Sequence, residues 1–293
     1  MPYEKILFMV LTTVIFISFV HPDQPQRKKN TLGEGFWDCT VPESAREAWQ
    51  STVQVRLIRI CEPGETQRKV KIGAGIILEI DSERQAAIIV TSKHCIDGLT
   101  NRQYLYDIKF PGKPEKESEK EKYYTARNVS IIETQPFRDL VYLEVKYPDK
   151  AQFLAANLQP IDNDHKPYDN LIAIGFPNLQ MRSRKSWNVS RPKNFKKIIK
   201  RFSRGKLLAK GQSADNVYIL AHNADILPGN CGGPLVDHNG NVIGINAGLF
   251  YPDVAKNSES SKYDYCPGNP NMFYYAVSSS EILKGFESIK KNK

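Results

Sequence analysis

The chain is sparing with cysteine, and what it has is scattered. Its five cysteines, at positions 39, 61, 95, 231 and 266, form no C-x-x-C pair and no His/Cys cluster at zinc-ligand spacing, which argues against a structural metal. No cofactor is expected either. No repeat of 20–50 residues is visible, which excludes a solenoid or a propeller. The N-terminal apolar run, Ile6–Val20, has 15 residues behind Lys5, the length of a signal-peptide core but short for a membrane span. No A-x-A cleavage site follows it; Ser18 and Val20 before His21 are a weak substitute. Residues 1–20 therefore read as a cleaved signal or an uncleaved anchor. Either puts the body outside the cytoplasm: secreted, periplasmic or membrane-anchored.

Acid is missing from one stretch. Met181–Lys210 carries 12 Lys/Arg and no Asp or Glu, leaving 29 Lys/Arg against 32 acids elsewhere in a chain of formal net charge +9. The body is close to neutral and bears one basic segment. Trp187, Phe195 and Phe202 are interleaved there with the cations. Lys196, Lys197, Lys200 and Arg201 are candidates for contact with an anionic surface, a membrane or a cell-wall polymer. A solvated loop is the alternative. Nucleic acid is disfavoured as a partner by the export signal.

With 293 residues, 41% of them hydrophobic, there is room for a large all-β domain or two small lobes. Residues 21–50 read as a linker or an N-terminal arm. From 51 onward short apolar-alternating runs are separated by turn signals. Strands are predicted near Val53–Ile60, Gly73–Glu79, Ala86–Ser92, Tyr104–Phe110, Ala126–Glu133 and Leu140–Val145. A second set lies near Leu171–Gly175, Gly205–Lys210, Val217–Ala221, Gly233–Val236, Asn241–Ala247 and Phe273–Ser278. Two groups of six favour a double six-stranded β-barrel, with one lobe over 51–150 and the other over 151–293. Residues 181–204 form a basic insertion on the second lobe. The apolar spacing of Ile282, Leu283, Phe286 and Ile289 after the serines at 278–280 predicts a short C-terminal helix.

Leu227–Val236, LPGNCGGPLV, is the stretch that carries chemistry. Its glycines suit a tight turn that lifts Cys231 into a cleft, with the N–H groups of Gly229 and Cys231 aimed at a developing oxyanion. A buried structural cysteine in a Gly-rich turn is the other reading. A thiol nucleophile needs a base, and the base needs an acceptor to orient it. Of the five histidines, His94 ends the apolar run IIVTSKHC and would emerge at a barrel rim. Asp139, just before the strand LVYLEV, is the candidate carboxylate.

These segments resemble those of the trypsin-like (chymotrypsin-fold) peptidases. GNCGGPL is similar to that family's GxSGGPL, IIVTSKHC to VTAAHC, and DLVYLEV to DLALLKV, in the same order along the chain. The resemblance runs from about Val53 to Ser280 and is closest to the compact bacterial-type members. It implies a protein or peptide substrate and a triad of His94, Asp139 and Cys231, with Cys where the family has Ser. It also implies that Asp225 lies at the floor of the specificity pocket, favouring Lys or Arg at P1, and that Asn246 and Gly248 line that pocket. The family's disulfide partner for Cys95 would fall near Ile72–Gly75, where there is no Cys. Cys95 is then buried and inert, or joined elsewhere. Two functions remain in view: a cysteine endopeptidase working through a thioester, and a catalytically silent binding protein on the same fold.

Overall fold

The computed structural model describes residues 41–59, 70–96, 104–111, 123–127, 129–135, 138–147, 151, 153–161, 165–166, 169–178, 198–213, 215–250 and 273–291. The expected signal or anchor, the charged loop around 112–122, most of the basic insertion, and Cys39, Cys61 and Cys266 lie outside these residues. Among the described residues no helix is long and apolar enough to cross a membrane.

The described chain opens on a single 3-10 turn, Glu43–Ala45, running into α1, Arg46–Gln50. Strands then follow in the order β1 (Thr52–Arg59), β2 (Val70–Asp81) and β3 (Ala86–Ser92), a short helix α2 (Lys93–Ile96), and β4 (Tyr104–Pro111). The first lobe is completed by β5 (Tyr123–Ala126), β6 (Val129–Gln135) and β7 (Leu140–Lys146). They form one antiparallel sheet in the order β5-β4-β1-β2-β3-β7-β6. The sequence predicts six strands here; the described residues hold seven. The run expected over Ala126–Glu133 divides, because its first residues pair with β4 and its later ones with β7, so one extended segment serves two edges of a curled half-barrel.

The second lobe is a closed barrel of six strands: β8 (Asn170–Gly175), β9 (Arg201–Gln212), β10 (Tyr218–His222), β11 (Pro234–Val236), β12 (Val242–Phe250) and β13 (Phe273–Ser278). Closure leaves no unpaired edge. The expected strand at Gly205–Lys210 is longer at both ends, since Arg201–Arg204 continue the pairing with β8.

Local sequence explains which faces are buried. In β1, Val53, Val55 and Leu57 alternate inward while Arg56 points away and pairs with Asp107, its cross-strand partner on β4. Ala86–Ser92 is buried on both faces because β3 lies inside the sheet between β2 and β7. Its unbroken apolar run is what such a position requires. Each lobe has its own core, and a third cluster joins them. Ile76, Val90, Leu140 and Tyr142 of the first lobe pack there with Ile174, Phe202, Val236 and Ile245 of the second. The C-terminal helix α3 (Ser279–Lys291) closes this seam. Ile282, Phe286 and Ile289 are buried in it as their spacing predicts, each contributing roughly 1.5–3 kcal/mol. The Tyr142 hydroxyl donates to the Ile282 carbonyl at 2.8 Å, and Ser279 donates to the Gln159 carbonyl at 2.5 Å.

Candidate active site

Strand register brings the first two site residues together. Ser92 of β3 is paired with Leu140 of β7, so the residues just beyond that pair, His94 on α2 and Asp139 before β7, leave the sheet at the same end. Asp139 then holds His94 twice. Its Oδ1 accepts the His94 backbone N–H at 2.9 Å and its Oδ2 faces ring Nδ1 at 2.6 Å. Its own carbonyl accepts the Lys93 N–H at 2.8 Å. Asp139 sits at φ 52, in the left-handed region. Asp tolerates that region better than most residues. Strain of this kind persists where neighbours over-determine it.

Cys231 comes from the second lobe on a turn clamped from both sides. Gly229 and Gly232 have φ of 105 and 84. A Cβ on Gly229 would run into the Phe176 carbonyl, and one on Gly232 into the Ala74 carbonyl and the Thr91 hydroxyl. Both positions therefore need glycine for φ and for space. The turn is sewn to the first lobe by Ala74 N–H donating to the Cys231 carbonyl at 2.8 Å. It is sewn to β12 by Gly232 N–H donating to the Asn246 carbonyl at 2.7 Å, which also accepts the Ser92 hydroxyl at 3.3 Å. Asn230 and Gly233 N–H groups bond within the turn, whereas among the described residues those of Gly229 and Cys231 make no backbone hydrogen bond.

The electrostatics of the cluster are strongly biased. Burial opposes charge on His94, but its hydrogen bonds to Asp139 and Cys231, and the charges of both, hold the imidazole pKa up to about 10. The ring is nevertheless 48% exposed and Asp139 26%, so solvent reaches this corner. The Cys231 thiol is pulled well below its ordinary range. Hydrogen bonding from Cys95 is the largest cause; burial works against it, and His94 adds to the pull. A thiolate beside an imidazolium is the form in which a cysteine is nucleophilic.

Sequence reasoning missed Cys95. It is buried, as expected, but not inert in position: its Sγ lies 3.7 Å from His94 Nε2 and donates to the Cys231 carbonyl at 3.5 Å. The signal was available in Gly73, the glycine standing where a disulfide partner would be sought. Its missing side chain is the space that Cys95 Sγ occupies.

One of the three pocket expectations, Asn246, is revised. Asn246 does not present its side chain to a cleft; its amide donates to the Gly233 and Pro234 carbonyls at 2.9 and 3.0 Å and braces the nucleophile turn. It lies at a bulge in β12, between Asn246 and Gly248, which redirects that strand. Gly248 is half-buried under the Tyr275 ring, its register partner. Asp225 is half-buried on the segment leading into the turn, and its carbonyl accepts the Ser203 hydroxyl at 2.7 Å. Lys200 is also corrected. It is 1% exposed, donates to the Trp49 carbonyl at 2.7 Å and lies over the Trp49 and Phe176 rings. A surface role is closed to it, because pairing of β9 with β8 carries the end of the basic segment into the seam. Arg201 is half-buried, and Lys196 and Lys197 are outside the described residues.

A seam between a half-barrel and a barrel, with His and Asp from one and a cysteine turn from the other, defines a class. The chain belongs to the trypsin-like peptidase domain family, whose pattern matches residues 73–245, more than half of the sequence. It is 31% identical over 197 residues to the magnetosome formation protease MamE of Magnetospirillum gryphiswaldense, a match covering 65% of this chain and 20% of that protein. The chain thus spans about a fifth of the length of that relative. Among solved structures it is similar to the HtrA-type protease AlgW with a tripeptide, at a TM-score of 0.54 and 19% identity over 84% of this chain and 62% of that one. It is also similar to Deg5, at a TM-score of 0.52 and 16% identity, covering 82% and 89% of the two chains. These likenesses show the fold.

Proposed function

We propose that the chain is a cysteine endopeptidase that hydrolyses peptide bonds through a covalent thioester. Cys231 attacks the scissile carbonyl as thiolate. His94 gives its proton to the leaving amine and then takes one from the water that hydrolyses the thioester. Asp139 fixes the ring so that Nδ1 faces the carboxylate and Nε2 faces the thiols. The N–H groups of Gly229 and Cys231 stabilise the oxyanion in both steps. The observation that carries this reading is the double grip of Asp139 on His94, which aims Nε2 at the corner where the cysteine turn arrives. Family membership supports a peptidase; the cysteine chemistry is read from residue 231 itself. The reaction would run outside the cytoplasm, on the strength of the N-terminal apolar run.

Single-site variants test it. Cys231→Ala and His94→Ala should each reduce hydrolysis of an unfolded protein substrate by about 10⁴-fold or more, while Cys61→Ala retains activity. Equal activity of Cys231→Ala and the parent would refute the assignment and favour a silent binding protein. A peptide panel varied only at P1 tests Asp225 separately: no advantage for Lys or Arg removes it from the pocket floor.

A further inference from the structure

We propose that Cys95 and Cys231 form a hydroperoxide-responsive dithiol, in which Cys231 is oxidised first and Cys95 resolves it to an intramolecular disulfide. Cys231 is shared with the peptidase site, but this reaction requires neither peptide binding nor hydrolysis.

Among the described residues both cysteines are free thiols, one half-buried and one buried. They approach from different lobes, and Cys95 Sγ touches both the Cys231 carbonyl and His94 Nε2. Cys95 Sγ therefore lies within contact distance of the backbone that carries the Cys231 side chain. Gly73 keeps the approach open: a Cβ there would lie 2.8 Å from Cys95 Sγ and 3.3 Å from the Cys231 carbonyl. Exposure of the two thiols is unequal. Cys231 is half-buried and Cys95 buried, so a small oxidant reaches Cys231 first. A solvent-reachable thiolate next to a resolving thiol is the arrangement of redox-sensing cysteines.

The chemistry balances with a hydroperoxide as oxidant. Cys231 thiolate attacks the peroxide oxygen; an S–O bond forms, the O–O bond breaks, and the departing alkoxide or hydroxide takes the proton held on His94. The product is a sulfenic acid at Cys231. Cys95 then loses its proton to His94 and attacks the sulfenic sulfur. An S–S bond forms and hydroxide leaves as water with that proton. Two thiols are oxidised and one hydroperoxide is reduced. Order is built in. The Cys231 hydrogen bond is the largest cause holding the Cys95 thiol well above its usual range, followed by burial and the negative charges of Cys231 and Asp139; Lys71 alone opposes them. Conversion of the Cys231 thiolate to neutral sulfenic acid removes that restraint, so Cys95 becomes a nucleophile only when there is something to resolve.

The test is peptide mapping of the full chain after stoichiometric hydrogen peroxide at neutral pH, without reduction. The expected result is a Cys95–Cys231 crosslinked peptide, the loss of two hydrogens in intact mass, and full reversal by dithiothreitol. Cys95→Ser should give no crosslink and instead accumulate a dimedone adduct at Cys231. Wild-type protein in which Cys231 proceeds to sulfinic acid, stays reduced, or pairs with Cys39, Cys61 or Cys266 overturns the proposal, whatever the variant does. Because the readout is mass, failure of peptide hydrolysis leaves the result standing. A crosslink in a protein without peptidase activity sinks only the peptidase reading.

Discussion

At the scale of single residues, the site is a rearrangement of one proton. In an unstructured chain at neutral pH the proton sits on a thiol of pKa about 8.5 and the imidazole is bare. In the fold, Cys95 and His94 stabilise the Cys231 anion while Asp139 and that anion stabilise the His94 cation. The alkylation rate of Cys231 should therefore already be on its plateau well below the ordinary thiol range. Peptidase activity should fall only as His94 deprotonates near about 10. Three variants separate the causes. Cys95→Ala removes the largest stabiliser of the thiolate, so the acid limb of the alkylation profile should move to higher pH, and Cys95→Ser, which keeps a donor, should restore part of the shift. Asp139→Asn should move the alkaline limb of activity down from about 10, since the imidazolium loses its charged partner. Stopped-flow alkylation and initial rates across pH measure both. An unmoved acid limb in Cys95→Ala would show that Cys95 does not hold the thiolate.

At the scale of elements, the geometry of the candidate site depends on a helix that contributes none of its proposed residues. Glu281 in the first turn of α3 is almost fully buried and accepts from Arg138 at 2.7 Å and from Lys284 at 2.9 Å. Arg138 is the residue before Asp139, so the ion pair anchors the strained stretch that presents the carboxylate. Breaking a fully buried pair costs about 3–5 kcal/mol. With Arg138 side chain 35% exposed, roughly 1–2 kcal/mol is expected for Glu281→Ala after solvent screening. The variant should unfold at lower temperature and also lose kcat with little change in KM, because Asp139 and hence His94 are less well held. Loss of stability with unchanged kcat would confine the pair to a structural role. What was legible in the sequence follows the same division. The proposed site residues His94, Asp139 and Cys231 stand out in the sequence because each is marked by local chemistry: a polar residue ending an apolar run, an acid opening one, a cysteine among glycines. The direction of a side chain is not local. Lys200 turned inward because β9 extends to Arg201 and puts the lysine beside Trp49; Asn246 turned to its own turn at a bulge no periodicity reveals. The divided strand over 123–135 was missed because alternation alone does not say which neighbour a strand pairs with.

At the scale of the whole molecule, two histidines set opposing limits on stability. His222 is buried at the end of β10, stacked on Tyr274 with ring centroids 6.0 Å apart. Burial pushes its pKa down to about 3, and neither ring nitrogen has a hydrogen-bond partner among the described residues. A neutral buried histidine favours the fold above its unfolded pKa of 6.5, and that contribution is lost as pH falls below 6.5 toward about 3, where the unfolded chain binds the extra proton. His94 acts with the other sign: its contribution is complete below 6.5 and is lost as pH rises through about 10. Between 6.5 and about 8.5 the His94–Cys231 pair holds one proton whether folded or unfolded, so it gives stability no pH slope there. Below 6.5 the Cys231 thiolate adds to the His222 effect, because the unfolded thiol keeps its proton while the folded one does not. The unfolding temperature should therefore be flat around neutrality and decline on both sides. Replacing His222 with Gln tests the acid side. Its slope of Tm against pH between about 5 and 6.5 should be shallower than the parent's, whatever its absolute Tm, while the alkaline decline stays unchanged because His94 is intact. An acid slope equal to the parent's would mean that His222 takes up its proton inside the fold, and that β10 is not the acid-sensitive part of the barrel.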